Sequence, residues 1–244
     1  MMYQEKAYRE YSIVVPIFNE RDNLIPLRDN IIDAMSSISD DYEVILVDDG
    51  STDGSREIIR RICTENPEFR FVFFDANYGQ TAAFDAGFKA AIGDAVITMD
   101  ADLQVNAHDI PLLLEHLGPY DVVVGYREKR HDNWLKRISS RIANGVRNRL
   151  TGESIRDVGC PLKVIKRKAL QNIKLYKGMH RFFPTLLKFE GYTVFEAPVH
   201  HYPRIHGQSK YNVRNRVFRA LRDLFAVRWM KSRYLRYRIV EEKK

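Results

Sequence analysis

The chain has 244 residues, 45% of them hydrophobic and 29% charged, a balance that suits a globular domain and excludes collagen-like, disordered and disulfide-scaffold classes. Its net charge of +7 hides a division: residues 1–125 carry 9 basic and 23 acidic side chains, net −14, while residues 126–244 carry 30 basic and 9 acidic, net +21. The second half is therefore expected to face something anionic: phosphates, a membrane surface or nucleic acid.

Strand-like and helix-like segments alternate through the first half. A β-branched run, Tyr11 to Phe18, precedes a helix-compatible stretch from Asn19 to Ser37. The apolar run Tyr42 to Val47 closes in the turn-rich DDGSTDGS, where Ser51 or Thr52 can cap a helix over Arg56 to Cys63. Phe69 to Phe74, a helix from Gln80 to Ala91, and Ala95 to Met99 repeat the unit, and Asp121 to Val124 adds a strand. This order predicts βαβ crossovers and a mostly parallel α/β sheet buried on both faces.

After Gly125 the texture becomes basic: a helix-compatible stretch from Arg127 to Leu150, a loop around DVGCPLK, a strand from Tyr192 to Val199, and the basic loop RIHGQSKY. A long helical segment follows. Residues 1–211 are read as one domain and 212–244 as a basic amphipathic helical extension. From Asn212 to Met230 of that extension, Val213, Val217, Phe218, Leu221, Leu224, Phe225 and Met230 fall near helical spacing among five arginines. It is expected either to pack as an ordinary helix with a solvated face, or to touch a membrane through Trp229, Tyr234, Leu235 and Tyr237, or to meet a membrane subunit.

Cys63 and Cys160 lie far apart with no metal-ligand spacing, which points to a reducing, cytosolic-side compartment. No apolar run reaches the roughly 18 to 20 residues of a spanning helix, so membrane contact is expected to be peripheral, at the cytosolic face.

In an open α/β sheet, ligands bind beyond the carboxyl ends of the strands. Here those ends read PIFNE, VDDGS and MDADLQ. Asp100 and Asp102 flank one small residue, so both carboxylates can reach one hard cation, with Gln104 adding a neutral oxygen. An oxygen-only set favours Mg²⁺ or Mn²⁺. The segment NYGQTAAFDAGFKAA lacks the GxxxxGK[ST] of a P-loop, and its small residues suit close packing on a sheet.

VPIFNE, VDDGSTDGS, NYGQTAAFDAGFKAA and DADLQ, in this order, resemble family 2 glycosyltransferases of the GT-A fold. Gly125 to Arg127, Ser139 to Asn144, DVGCPLK and RIHGQSKY narrow the resemblance to the polyprenyl-phosphate branch, typified by dolichyl-phosphate mannose synthase and undecaprenyl-phosphate sugar transferases. The resemblance implies that Pro16, Phe18 and Glu20 frame the base and ribose of a nucleotide-sugar donor (UDP- or GDP-sugar). It implies that Asp48 and Asp49 meet the ring N–H or ribose hydroxyls. Asp100 and Asp102 would hold the metal bridging the diphosphate, with Ala101 passing close to the donor. Arg127, Arg141, Arg204 and Lys210 would meet phosphate, for which arginine forks are suited. His200, His201 and His206 lack carboxylate or thiolate companions and are read as loop histidines.

The implied reaction is inverting displacement at the anomeric carbon. A phosphate monoester has its second pKa at about 6, so a polyprenyl phosphate can attack without a general base. Transfer to a glycan or lipid hydroxyl would need one, for which Asp157 is the candidate. A non-catalytic basic adaptor is a third reading. The interleaved aromatic pattern of an RNA-recognition motif is missing, so no nucleic acid partner is expected. A homo-oligomer is left open.

Overall fold

The computed structural model describes residues 9–127, 155–171, 173–202 and 213–235, with Gly145 and Glu241 as single residues. The expectations for Arg141, Arg204, His206, Lys210 and Tyr237 lie outside the described residues. In chain order the elements are β1 (Tyr11–Ile17), α1 (Leu24–Met35), β2 (Tyr42–Asp48), α2 (Ser55–Glu65), β3 (Phe69–Phe73), α3 (Gln80–Ala90), β4 (Ala95–Thr98) and α4 (Ile110–Leu114). They continue with β5 (Val122–Arg127), β6 (Lys163–Lys166), α5 (Arg167–Leu170), α6 (Phe183–Phe189), β7 (Val194–Val199) and α7 (Val213–Arg233).

The strands form one sheet in the order β3-β2-β1-β4-β6-β5-β7. All run in the same direction except β6, which is antiparallel to both β4 and β5. All seven residues of β2 are buried, as a strand with helices on both faces requires. Period-two alternation divides the core. Ile13, Val15 and Ile17 face Leu24, Leu27 and Ile31 of α1, whereas Val14, Ile45 and Val47 join Phe84 and Phe88 of α3 and Phe183 of α6. A Cβ on Gly87 would strike Val14, so α3 lies directly on β1, as the small residues of its segment predict.

Four local expectations change, the first being Arg127, read as the start of a helix-compatible stretch and found as the last residue of β5, where it pairs with Val199 of β7. The helix expected from Asn19 begins at Leu24, after a 3-10 turn over Arg21–Asn23, because Asn19 adopts a left-handed φ of 54° that a helix cannot continue through. Ser51 does not cap α2; its hydroxyl accepts from the Asn19 N–H at 2.8 Å, and Asp53 Oδ1 instead accepts from the N–H of Ser55. Lys163, read within the loop around DVGCPLK, instead opens strand β6, Lys163–Lys166, which the sequence reading did not identify. Four residues with two charges carry too little periodicity to announce a strand, and pairing on both sides supplies what the pattern lacks.

α7 packs through Leu224 and Val227 on Met179, Phe182 and Leu186, while Phe225 and Trp229 remain 58% and 64% exposed. The packed face is that of an ordinary helix lying on the domain. Among the described residues no helix is long and apolar enough to cross a membrane.

Candidate active site

The loops after β1 and β2 are laced together. Asn19 Oδ1 accepts from the Thr52 N–H at 2.8 Å, Ser55 Oγ from the Glu20 N–H at 3.2 Å, and Asp53 Oδ2 from the Arg21 N–H at 3.1 Å. Pro16 lies beyond Thr98, the last β4 residue paired with β1, so its missing N–H costs no hydrogen bond to that strand. Phe18 and Glu20 are half-buried, and Glu20 Oε2 accepts from the Asn23 amide at 2.6 Å.

Asp48 and Asp49 take different environments. Asp48 is fully buried and paired with Arg56, Nε to Oδ2 at 2.7 Å, with the Ser51 N–H also donating to it. Asp49 accepts from the N–H groups of Tyr78 and Gly79 at 2.6 and 2.8 Å and from the Asn77 amide at 2.9 Å. Burial raises the Asp49 pKa, opposed by those backbone donors. Of the two acids expected to meet the nucleoside, Asp48 is committed to holding α2 against the sheet, and Asp49 stands at the junction with α3.

β4 ends two residues before Asp100. Gln80 at the start of α3 donates its amide to Asp100 Oδ1 at 2.8 Å, Ala101 is buried, and Asp102, 8% exposed, accepts from the Gln104 N–H at 3.2 Å. Gln104 contributes its main chain here: its carbonyl accepts from the Tyr202 N–H at 3.0 Å and meets His201 Nδ1 at 3.2 Å. The segment that follows β7, His201–Tyr202, is thereby fastened to the aspartate turn, with Tyr202 two residues before Arg204 in the chain. His200, read as lacking a carboxylate companion, has one: its Nδ1 pairs with Asp109 Oδ1 at 2.7 Å, across 91 residues of chain that the sequence pattern does not bridge.

Among the described residues no group of three or more His, Cys, Asp or Glu could hold a metal. Two carboxylates with oxygen-only donors nevertheless fit Mg²⁺ or Mn²⁺, which are commonly held by one or two carboxylates together with substrate phosphates.

On the other side of the turn, Arg127 clasps Asp157, Nε to Oδ2 at 2.7 Å and Nη2 to Oδ1 at 3.1 Å, and the Gly159 N–H donates to Oδ1 at 3.2 Å. Sequence reasoning placed both residues here and did not foresee the pairing. It missed Lys163, the last residue of DVGCPLK. As β6 runs antiparallel, its first residue sits opposite Thr98, and Lys163 is buried with its ammonium donating to the Cys160 carbonyl. Burial lowers its pKa, while Cys160, Asp100 and Asp157 favour its charged form. The motif itself was the available signal, but its strand position was not legible.

The family model described as Glycosyl transferase family 2 matches residues 12–174. The undecaprenyl-phosphate 4-deoxy-4-formamido-L-arabinose transferase of Edwardsiella ictaluri is 40% identical over 211 residues, 85% of this chain and 65% of the relative. The dodecaprenyl-phosphate galacturonate synthase of Rhizobium johnstonii is 39% identical over 235 residues, 94% of this chain and 68% of the relative. The chain thus spans about two thirds of the length of these curated relatives, and just under that share of the first.

Among solved structures, the glucosyl-3-phosphoglycerate synthase of Mycobacterium tuberculosis in complex with Mn²⁺, UDP and phosphoglyceric acid superposes with a TM-score of 0.68 at 18% identity, covering 93% of this chain and 80% of that one. A mannosyltransferase from Pyrobaculum calidifontis in complex with GDP-Man and Mn²⁺ gives 0.67 at 21% identity, covering 90% and 64%. At these identities the likeness is one of fold, and it agrees with the GT-A architecture expected from the sequence. The family match over two thirds of the chain and the identity to the curated relatives make this chain a member of glycosyl transferase family 2.

Proposed function

We propose that the protein transfers a sugar, with inversion, from a UDP- or GDP-sugar to a polyprenyl phosphate at the cytosolic membrane face. The observation that carries this reading is the state of Asp157. Its carboxylate is engaged by the Arg127 guanidinium and main-chain N–H and by Gly159, so no lone pair is presented for taking a proton from a hydroxyl. A phosphate acceptor is already ionised and needs no such base. The names of the relatives, which are undecaprenyl- and dodecaprenyl-phosphate enzymes, support the same acceptor.

In this reading Pro16, Phe18, Glu20 and Asp49 frame the nucleoside. Asp100 and Asp102 hold a divalent cation, which when bound offsets the charge that develops on the leaving diphosphate. Lys163 is buried beside Asp100 and Asp157, whose carboxylates favour its charged form against the burial that lowers its pKa. Arg127 is oriented by Asp157, and Arg141, Arg204 and Lys210 supply cations for the acceptor phosphate. The cations offset repulsion between two phosphate-bearing reactants. The exposed Phe225 and Trp229 with Arg222 and Arg228 on the outer face of α7 suit an anionic membrane surface near the lipid acceptor.

The test is to incubate the purified protein with Mg²⁺ or Mn²⁺ and a panel of UDP- and GDP-sugars, with and without a short polyprenyl phosphate. Nucleoside diphosphate release that requires the lipid phosphate is expected. Release that responds to a hydroxyl acceptor and ignores the lipid would overturn the reading.

A further inference from the structure

The start of α3 is tied to three parts of the molecule within three residues. Gly79 adopts φ 96° and ψ 157°, a region essentially confined to glycine, and sends its N–H to Asp49 after β2. Gln80 sends its side-chain amide to Asp100 after β4 at 2.8 Å. Thr81, 5% exposed, accepts from the Gly178 N–H at 3.1 Å and meets His180 Nδ1 at 2.8 Å. One helix terminus therefore links a carboxylate expected at the nucleoside, a carboxylate expected at the metal, and the loop leading into α6.

We propose that Gln80 is a positioning residue for Asp100, turning that carboxylate toward the donor's metal, and that the Thr81–His180 hydrogen bond holds Gln80 in place. The proposal rests on the metal-dependent donor site argued above. A neutral amide suits the task. It orients one carboxylate oxygen without bringing a second positive charge that would compete with the cation, as a lysine there would. Donors beyond the ligand shell commonly orient metal-binding carboxylates in this way.

A neutral His180 ring with its proton on Nε2 would take the Thr81 hydroxyl hydrogen at Nδ1, while the hydroxyl oxygen accepts from the Gly178 N–H. Burial, aided by Arg181 and Lys163, pushes the His180 pKa down to about 3, so the ring stays neutral. Behind it, Met179 and Phe182 pack on Leu224 and Val227, which fixes the loop that carries His180.

The experiment titrates Mn²⁺ into the full chain in the presence of UDP, and separately of GDP, following free Mn²⁺ by electron paramagnetic resonance, with thermal midpoints measured alongside. Gln80→Met, which keeps length and helix preference, is expected to weaken Mn²⁺ binding about 10- to 100-fold with a near-native midpoint. Thr81→Val should weaken it in the same direction, and Thr81→Ser should restore it. A packing role alone would lower the midpoint and leave Mn²⁺ affinity unchanged, and wild-type affinity in Gln80→Met overturns the proposal. If the wild-type chain binds Mn²⁺ with neither nucleotide, the donor-site reading falls and takes this inference with it.

Discussion

The Arg127 guanidinium meets the Asp157 carboxylate edge to edge, with hydrogen bonds of 2.7 and 3.1 Å between side chains only 14% and 11% exposed. Both residues were candidates for contacting substrate, and the pairing gives them a joint role: the aspartate aims the arginine. Asp157→Asn removes the charge while keeping the shape. Breaking one partner of a buried pair costs about 3 to 5 kcal/mol, so a clear drop in urea-unfolding stability is expected. The pH profile of the remaining transfer to polyprenyl phosphate should keep its wild-type shape. Disappearance of an ionisation from that profile would instead identify Asp157 as a base.

Arg56 stands in the same relation to Asp48, with the added tie of its guanidinium to the Phe74 carbonyl. Arg56→Met leaves a fully buried carboxylate without its cation. A loss of about 3 kcal/mol is expected by denaturant unfolding. Asp48→Asn in the Arg56→Met background should recover part of it, because the uncompensated charge is then gone.

His180 sets an acid limit on stability. Its folded pKa is lowered from 6.5 to about 3, so between those values the unfolded chain binds a proton that the folded chain does not. Stability from this group is present above pH 6.5 and falls as pH drops toward 3, by roughly 1 kcal/mol per pH unit. His180→Gln should flatten that limb in thermal melts taken from pH 7 to pH 4. An unchanged limb would show that His180 is protonated in the folded protein.

The outer face of α7 offers a separate test. Phe225 and Trp229 lie four residues apart and exposed, beside Arg222 and Arg228, while Leu224 and Val227 face inward. Cosedimentation with phosphatidylglycerol vesicles should be salt-sensitive, at about 1 kcal/mol per engaged cation. Phe225→Glu with Trp229→Glu should weaken it by about tenfold or more and leave the thermal midpoint near wild type. Equal binding to neutral and anionic vesicles would contradict the charge complementarity.

The apolar runs that became β1, β2, β3, β4, β5 and β7 were legible because each is a short segment rich in β-branched or aromatic residues, and composition and turn residues are local properties. That the DxD and the acids of VDDGS stand at the ends of β4 and β2 was legible for the same reason. Lys163 and β6 were not. An antiparallel strand inserted between β4 and β5 is a decision of pairing, and nothing within KVIK announces it. His180 was equally hidden, because its contact is with Thr81, 99 residues away.

The amino-acid sequence by itself thus determined the family, the sheet's parallel half, the acidic stretches at the strand ends and the separation of charge between the two halves. Each of these is written in short stretches whose chemistry does not depend on distant partners. Tertiary structure alone decided which charged groups face each other. It set Arg56 on Asp48, Arg127 on Asp157 and Gln80 on Asp100, and it buried Lys163 beneath the aspartate turn. The physical reason is that a carboxylate's role follows from its burial and its partners, and those exist only once strands distant in the chain lie side by side.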